Sequence, residues 1–225
     1  MNCTDLIAQI LKSEGVDWMA CFPSNPLIEA VAKQGIRPVA FRHERGGVMA
    51  ADGYSRVSNR EQFGVFCMQN QAGAENAMGG ISQAFADNVP ILVLPGGTSM
   101  ARMGIRPEFS ASQNYRGITK HVETILTPGQ VVGAMQRAFH HLRNGRPGPV
   151  AVEIPSDLGE QDVPESSTLY RSPKLFRQVP SRSDIKDAVT TLLAAKNPMI
   201  WAGMGVLLSG ATDELTELAE LLEIP

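Results

Sequence analysis

Only three cysteines, Cys3, Cys21 and Cys67, occur in the 225 residues, and no two of them form a CxxC pair. An odd, widely spaced set excludes a disulfide framework and gives no zinc signal. Cys21 and Cys67 fall in apolar, strand-like runs, where buried thiols are the plain reading. Histidine is equally sparse, and His140 and His141 are adjacent, so they point to different sides of a helix and do not readily share an ion. No apolar run approaches the roughly 20 residues needed to span a bilayer. A long basic stretch is also lacking: 20 Lys and Arg face 23 Asp and Glu, for a formal net charge of −3, which speaks against a nucleic-acid partner. The N-terminus, MNCTDLIAQILKSEG, has no basic segment followed by an apolar one; it reads as an amphipathic helix, not a secretion signal. No membrane partner and a cytoplasmic location are the resulting expectations. Internal repeats and low-complexity tracts are missing as well.

What is present is an ordinary globular composition, 43% hydrophobic and 19% charged, sufficient for one full domain and part of a second. Short apolar runs alternate with helical patterns. The candidate strands are Trp18–Phe22, Arg37–Phe41, Phe63–Met68, Ile91–Leu94 and Val150–Ile154. Between them lie helical patterns over Thr4–Glu14, Pro26–Gln34, Gly47–Val57, Ala74–Ala86 and Gly129–Arg143. Continuously apolar strands separated by helices predict a doubly wound α/β domain, a parallel sheet of about six strands flanked by helices, over residues 1–160. Periodicity vanishes in the proline-rich stretch 161–182, which reads as a linker. Residues 183–225 then open a second α/β domain: helix Ser183–Ala194, strand Met199–Ala202, a glycine turn at Gly203 and Gly205, and helix Thr212–Leu222. So short a unit does not bury a core of its own, so the second domain is expected to be incomplete within this sequence.

In open α/β sheets, ligands bind beyond the C-terminal ends of the strands. That rule nominates four loops: Pro23-Ser24-Asn25-Pro26, Arg42-His43-Glu44-Arg45-Gly46-Gly47, Gln69 to Asn76, and Pro95 to Ser99. Each also has a purely structural explanation. The glycines suit tight βα turns. Arg42 to Arg45 would make a solvated charged turn, with Glu44 favoured at a helix N-terminus. Gly73-Ala74-Glu75-Asn76 at a helix start suits an anion, yet it matches neither GxGxxG nor a Walker loop.

Read together, the segments say more. FRHERGGVMAADGYSR resembles the R-H-E-x-x-A-x-x-x-A-D-G-Y-A-R signature of thiamine-diphosphate-dependent enzymes. QNQAGAENAMGGISQAFADNVPILVLPGG is similar to that family's GPGxxN stretch and the helix after it, and ITKHVETI and GRPGPVAVEIPSD resemble two further segments. NPMIWAGMGV to ELTELAELLEIP looks like the opening of the family's middle domain. The resemblance covers essentially the whole chain, in order, and is nearest to acetolactate synthases and benzoylformate decarboxylase.

The resemblance implies that Glu44 is the catalytic glutamate that hydrogen-bonds N1′ of the cofactor aminopyrimidine. Gly73 and Asn76 match the glycine and asparagine of the cofactor loop. Pro23, Ser24 and Asn25 fall where the family has an active-site loop, although FPSNP departs from the usual FGxPG. Gln69 and Gln113 are implied on the substrate side, with FSASQNYRGITKH shorter than the corresponding stretch of acetolactate synthases. The implied cofactor is thiamine diphosphate. Its Mg²⁺ site, Gly-Asp-Gly followed by Asn-Asn, is not in this sequence and is expected from a diphosphate-binding domain in a further half of the chain or in another subunit. FAD is a further possibility that these residues do not decide. The implied substrate is a small 2-oxo acid, the implied assembly a homodimer or tetramer. Two alternatives stay open: the pyrimidine-binding subunit of a two-chain, sulfopyruvate-decarboxylase-like enzyme, and a catalytically silent α/β interaction module.

Overall fold

The computed structural model describes residues 1–225 and divides into two units, Met1–Leu175 and Phe176–Pro225. The first begins with α1 (Cys3–Ser13), whose cap Asn2 accepts the Asp5 amide at 2.8 Å. Asp5 in its first turn and Lys12 in its last both suit the helix dipole. Next come β1 (Trp18–Cys21), α2 (Leu27–Lys33), β2 (Arg37–Ala40), α3 (Glu44–Val57) and β3 (Gly64–Met68). They are followed by α4 (Ala72–Ala86), β4 (Ile91–Gly97), α5 (Ala111–Asn114), β5 (His121–Thr124), α6 (Val131–Arg143) and β6 (Val150–Pro155).

The six strands form one sheet in the order β2-β1-β3-β4-β6-β5, and every neighbouring pair is parallel. Alternation along the strands divides the apolar side chains between two cores. Val65 and Cys67 of β3 join the core under α1, α2 and α6, whereas Phe66 and Met68 join the one under α3 and α4. All three cysteines are free and buried, and burial pushes each thiol above its ordinary pKa. After β1 the chain passes to the first face, and after β3 to the second. Those strands are neighbours, so a crevice opens between their C-terminal ends. No helix is long and apolar enough to cross a membrane.

The α/β class and its parallel sheet are as the sequence predicts, with two local differences. Strand β5 was hidden in the polar ITKHVETI segment, because four half-buried residues at a sheet edge give too short an alternation. Helix α3 starts at Glu44, three residues before the expected Gly47, so Gly46 and Gly47 are helical and not a turn. Gly47 is there for packing: a Cβ on it would lie 2.3 Å from a ring carbon of Phe66.

The stretch 161–175 is bonded to the first unit. Cys3 donates its amide to Gln161, Val163 is buried, and Tyr170 donates its hydroxyl to Glu14. Proline-rich composition there removes periodicity without removing contacts. The second unit holds α7 (Arg182–Ala194), closed by a capping box between Ser181 and Asp184, then α8 (Met204–Ser209) and α9 (Thr212–Leu222). The strand expected at Met199–Ala202 does not form. A strand needs a ladder, and this segment has one backbone bond, from the Ile200 amide to the Pro225 carbonyl at 2.9 Å. Met199 and Trp201 are exposed, Trp201 to 91%.

Close helix-to-sheet packing yields a stability test at Gly64, where a Cβ would sit 2.0 Å from the Ala51 carbonyl oxygen, a backbone atom of α3. Gly64→Ala is expected to destabilise the first unit by about 1–3 kcal/mol, as overpacking does. Urea unfolding followed by far-ultraviolet circular dichroism measures it; an unchanged midpoint would contradict the packing.

Candidate active site

Glu44 is the first residue of α3 and is 3% exposed. It sits at the C-terminal edge of the sheet because β2 ends at Ala40, only a few residues before it. His43 caps the helix, its Nδ1 accepting the Arg45 amide at 3.2 Å. The positive end of the helix dipole thus falls on the Glu44 carboxylate. Burial removes the solvated-turn explanation of this charge and leaves the helix-start one standing.

The second contribution comes from the neighbourhood of β3. Asn76, in the first turns of α4, donates its side-chain amide to Glu44 Oε2 at 3.1 Å. Gly73 lies one turn earlier. A Cβ there would come 2.6 Å from Gln69 Cγ and 3.5 Å from Glu44 Oε1, so the missing side chain lets Gln69 pack against the start of α4 beside the carboxylate. The turn into α4 is made by Gln71 at φ 49° and ψ −111°, a left-handed conformation that disfavours a side chain. Such strain costs on the order of 1–3 kcal/mol and gathers at functional sites.

Across the crevice, Asn25 donates its side-chain amide to the Met68 carbonyl at 2.9 Å and accepts the Leu27 amide at 3.0 Å. It stitches the loop after β1 to the end of β3. Ser24 precedes it at φ 80°, a second non-glycine residue in the left-handed region. Ser24 and Asn25 line the crevice together with Asn70, Gly96, Gly97 and Ser156.

The nominated residues therefore fall into groups. Glu44, Asn76 and Gly73 come together, with Gln69 packed against Gly73. Ser24 and Asn25 form the crevice wall, of which Glu44 is not a lining residue; Pro23 is exposed beside them. Gln113 stands apart, exposed on α5 with no side-chain hydrogen bond to either group. The rest of the Glu44 signature serves packing. Asp52 pairs with Arg56 at 2.9 Å, Arg56 reaches Asp87 at 2.7 Å, and the Tyr54 ring meets Trp18 edge-on at 5.2 Å.

One buried acid escaped the sequence reading. Glu153, 4% exposed, points from β6 toward α5 and accepts the Ala111 amide at 2.9 Å, the Ser112 amide at 3.1 Å and the Thr124 hydroxyl at 2.8 Å. Its signal was available: a single acidic residue inside the otherwise apolar strand VAVEIP.

A parallel α/β domain whose buried carboxylate waits at a helix start, beside a strand-end crevice, belongs to the class of ligand-binding enzyme domains. The chain belongs to the thiamine pyrophosphate enzyme family: residues 1–125 match its N-terminal TPP binding domain and residues 185–225 its central domain. A probable acetolactate synthase large subunit of Methanococcus aeolicus is 32% identical over all of this chain and 39% of its own length. Glyoxylate carboligase of Escherichia coli O157:H7 is 30% identical over the whole chain and 39% of its own length. The chloroplastic acetolactate synthase of Arabidopsis thaliana is 30% identical over 98% of this chain and 34% of its own length. The chain thus spans about two-fifths or less of the length of these relatives, at their N-terminal part.

The Glu44–Asn76 contact is tested by Asn76→Asp, which sets a second carboxylate where the amide now lies 3.1 Å from Glu44 Oε2. Two adjacent carboxylates do not both ionise easily, so the variant pair titrates with one pKa raised above its unfolded value. The stability is then present below the unfolded pKa and is lost as pH rises through the raised folded one. Relative to the parent, Asn76→Asp should be about 1–3 kcal/mol less stable at pH 7.5 than at pH 4.5. Urea midpoints at the two pH values measure it, and equal deficits would show that the two side chains do not meet.

Proposed function

We propose that this chain forms the pyrimidine-binding part of a thiamine-diphosphate-dependent carboligase or decarboxylase acting on 2-oxo acids, acetolactate synthase-like in type. The observation that carries it is the buried Glu44 carboxylate, held by Asn76 on Oε2 and left without a hydrogen-bond partner on Oε1. These residues fit an aminopyrimidine. Glu44 Oε1 accepts no hydrogen bond within the chain, which leaves it available to a ring nitrogen.

When bound, thiamine diphosphate supplies a carbon nucleophile and an electron sink for decarboxylation. Glu44 would hold a proton between its carboxyl and N1′ of the ring. Asn76 fixes the carboxyl rotamer by bonding Oε2, which leaves Oε1 for the ligand. Burial excludes water from that shared proton and strengthens its interaction with the carboxylate. In this reading Ser24 and Asn25 form the crevice wall near the cofactor, with Pro23 at its rim, and Gln69 and Gln113 lie on the substrate side. Residues 1–160 make the pyrimidine-binding domain, 161–182 the connection and 183–225 the start of a middle domain. Diphosphate and Mg²⁺ are assigned to a diphosphate-binding domain of the same enzyme or another subunit, and FAD to no residue of this chain. The location proposed is cytoplasmic.

In the full-length enzyme, Glu44→Gln should keep most cofactor affinity, because the amide is nearly isosteric and still bonds N1′. It does not share an acidic proton, so turnover should fall about 10²–10⁴-fold. Calorimetry measures binding, and NMR measures exchange of the cofactor C2 proton. Near-parental exchange would reduce Glu44 to a helix-start residue.

A homodimer or tetramer is part of the same reading, with α4 near the contact. Phe85 on α4 is 41% exposed and Met49 on α3 is 42% exposed, and exposed apolar side chains of this kind favour an interface. Light scattering on the chain should give at least a dimer; a strict monomer at high concentration would refute it.

A further inference from the structure

We propose that Tyr115 and Glu153 are positioning residues for the Glu44 site: Glu153 fixes α5, and Tyr115 passes that placement to the first turn of α4. Helix α5 has four residues, Ala111–Asn114, and so short a helix does not hold its own place. Two of its first amides, with the Thr124 hydroxyl, converge on the Glu153 carboxylate. The short helix is in effect built around one buried anion on β6. At its other end stands Tyr115, fully buried, whose hydroxyl donates to the Ala74 carbonyl at 2.5 Å. Ala74 lies between Gly73 and Asn76, the two residues that face Glu44. Burial, with the nearby Glu153 charge, pushes the phenol well above its ordinary pKa, so it stays a donor at any working pH. A second bond, from the Thr119 hydroxyl to the Tyr115 carbonyl at 2.7 Å, locks the turn that follows.

A continuous hydrogen-bonded path thus runs from β6 through α5 and Tyr115 to the α4 turn, and from Asn76 to the Glu44 carboxyl. Neither Tyr115 nor Glu153 bonds Glu44, so both act through others. The same path holds the helix that carries Gln113. One brace therefore sets the cofactor-side turn and the proposed substrate-side helix relative to each other. The inference rests on the assignment of Glu44 to the cofactor ring, and its test separates the two.

The experiment uses the full-length enzyme with Tyr115→Phe, which removes one hydroxyl and keeps the ring, and with Glu153→Gln, which has only one acceptor oxygen. For Tyr115→Phe, kcat should fall about tenfold, since misplacing a reacting group by a fraction of an ångström has this order of effect. KM for the 2-oxo acid should stay within about twofold. In the 225-residue chain the Asn76 side-chain amide resonances should shift or broaden in the same variant. Glu153→Gln should give the same pattern with a larger fall in kcat; should it fail to fold, Tyr115→Phe decides alone. Glu44→Gln is the reference. If Glu44→Gln is inactive while Tyr115→Phe keeps parental kcat and unshifted Asn76 resonances, the positioning role is overturned and the Glu44 assignment stands. If Glu44→Gln turns over normally, the assignment falls and the positioning role with it.

Discussion

Glu44 is 3% exposed, so its carboxylate depends on the protein for most of its solvation. Much of the first unit follows from how Glu44 meets that demand. Its own helix begins at Glu44, earlier than the glycine pair suggests, which places the charge at the positive end of the helix dipole. One oxygen must then find a donor from elsewhere, and the nearest element is the helix after β3, which supplies Asn76. For α4 to start close enough, the chain has to turn sharply at the end of β3. The left-handed Gln71 makes that turn, and Gly73 has no side chain to obstruct it.

The sheet supplies the other constraint. Because the chain leaves β1 and β3 toward opposite faces, the ends of those strands separate and their loops need a tie. Asn25 provides it, bonding the Met68 carbonyl on one side and the Leu27 amide on the other. Sequence neighbours do not meet here: the contacts that build the site join residues 25 with 68, 44 with 76, and 74 with 115. Only the parallel order of the sheet brings such distant pairs to one edge.

Much of this was legible from residues alone. The apolar runs that become β1, β3, β4 and β6 are buried on both faces, so they read as strands from composition. Glu44, Gly73 and Asn76 were legible through a spaced pattern, and the hydrogen bond between two of them gives that pattern a physical content. Strand β5 was not legible, since an edge strand half in water has little need of apolar residues. The strand expected at Met199–Ala202 failed for the opposite reason: its residues are apolar, but periodicity says nothing about whether a pairing strand is there. Gln113 was placed by likeness of its segment, and a four-residue helix leaves it exposed.

Helix α3 shows how closely support and chemistry are combined. Its first residue is Glu44, and its later turns carry Asp52, Tyr54 and Arg56 from the same signature. Arg56 bonds Asp52 on its own helix and Asp87 at the end of α4, so it fixes the two helices together at the end remote from Asn76. The exposed Arg56–Asp87 pair contributes little by itself. Its geometric effect is different, because α3 and α4 are then joined at both ends: by Arg56 and Asp87 at one, and by Glu44 and Asn76 at the other. Any rotation of one helix against the other would have to break a contact at each end. The distance from Asn76 to the Glu44 carboxyl is therefore held at both ends of the helix pair, not by the two side chains alone.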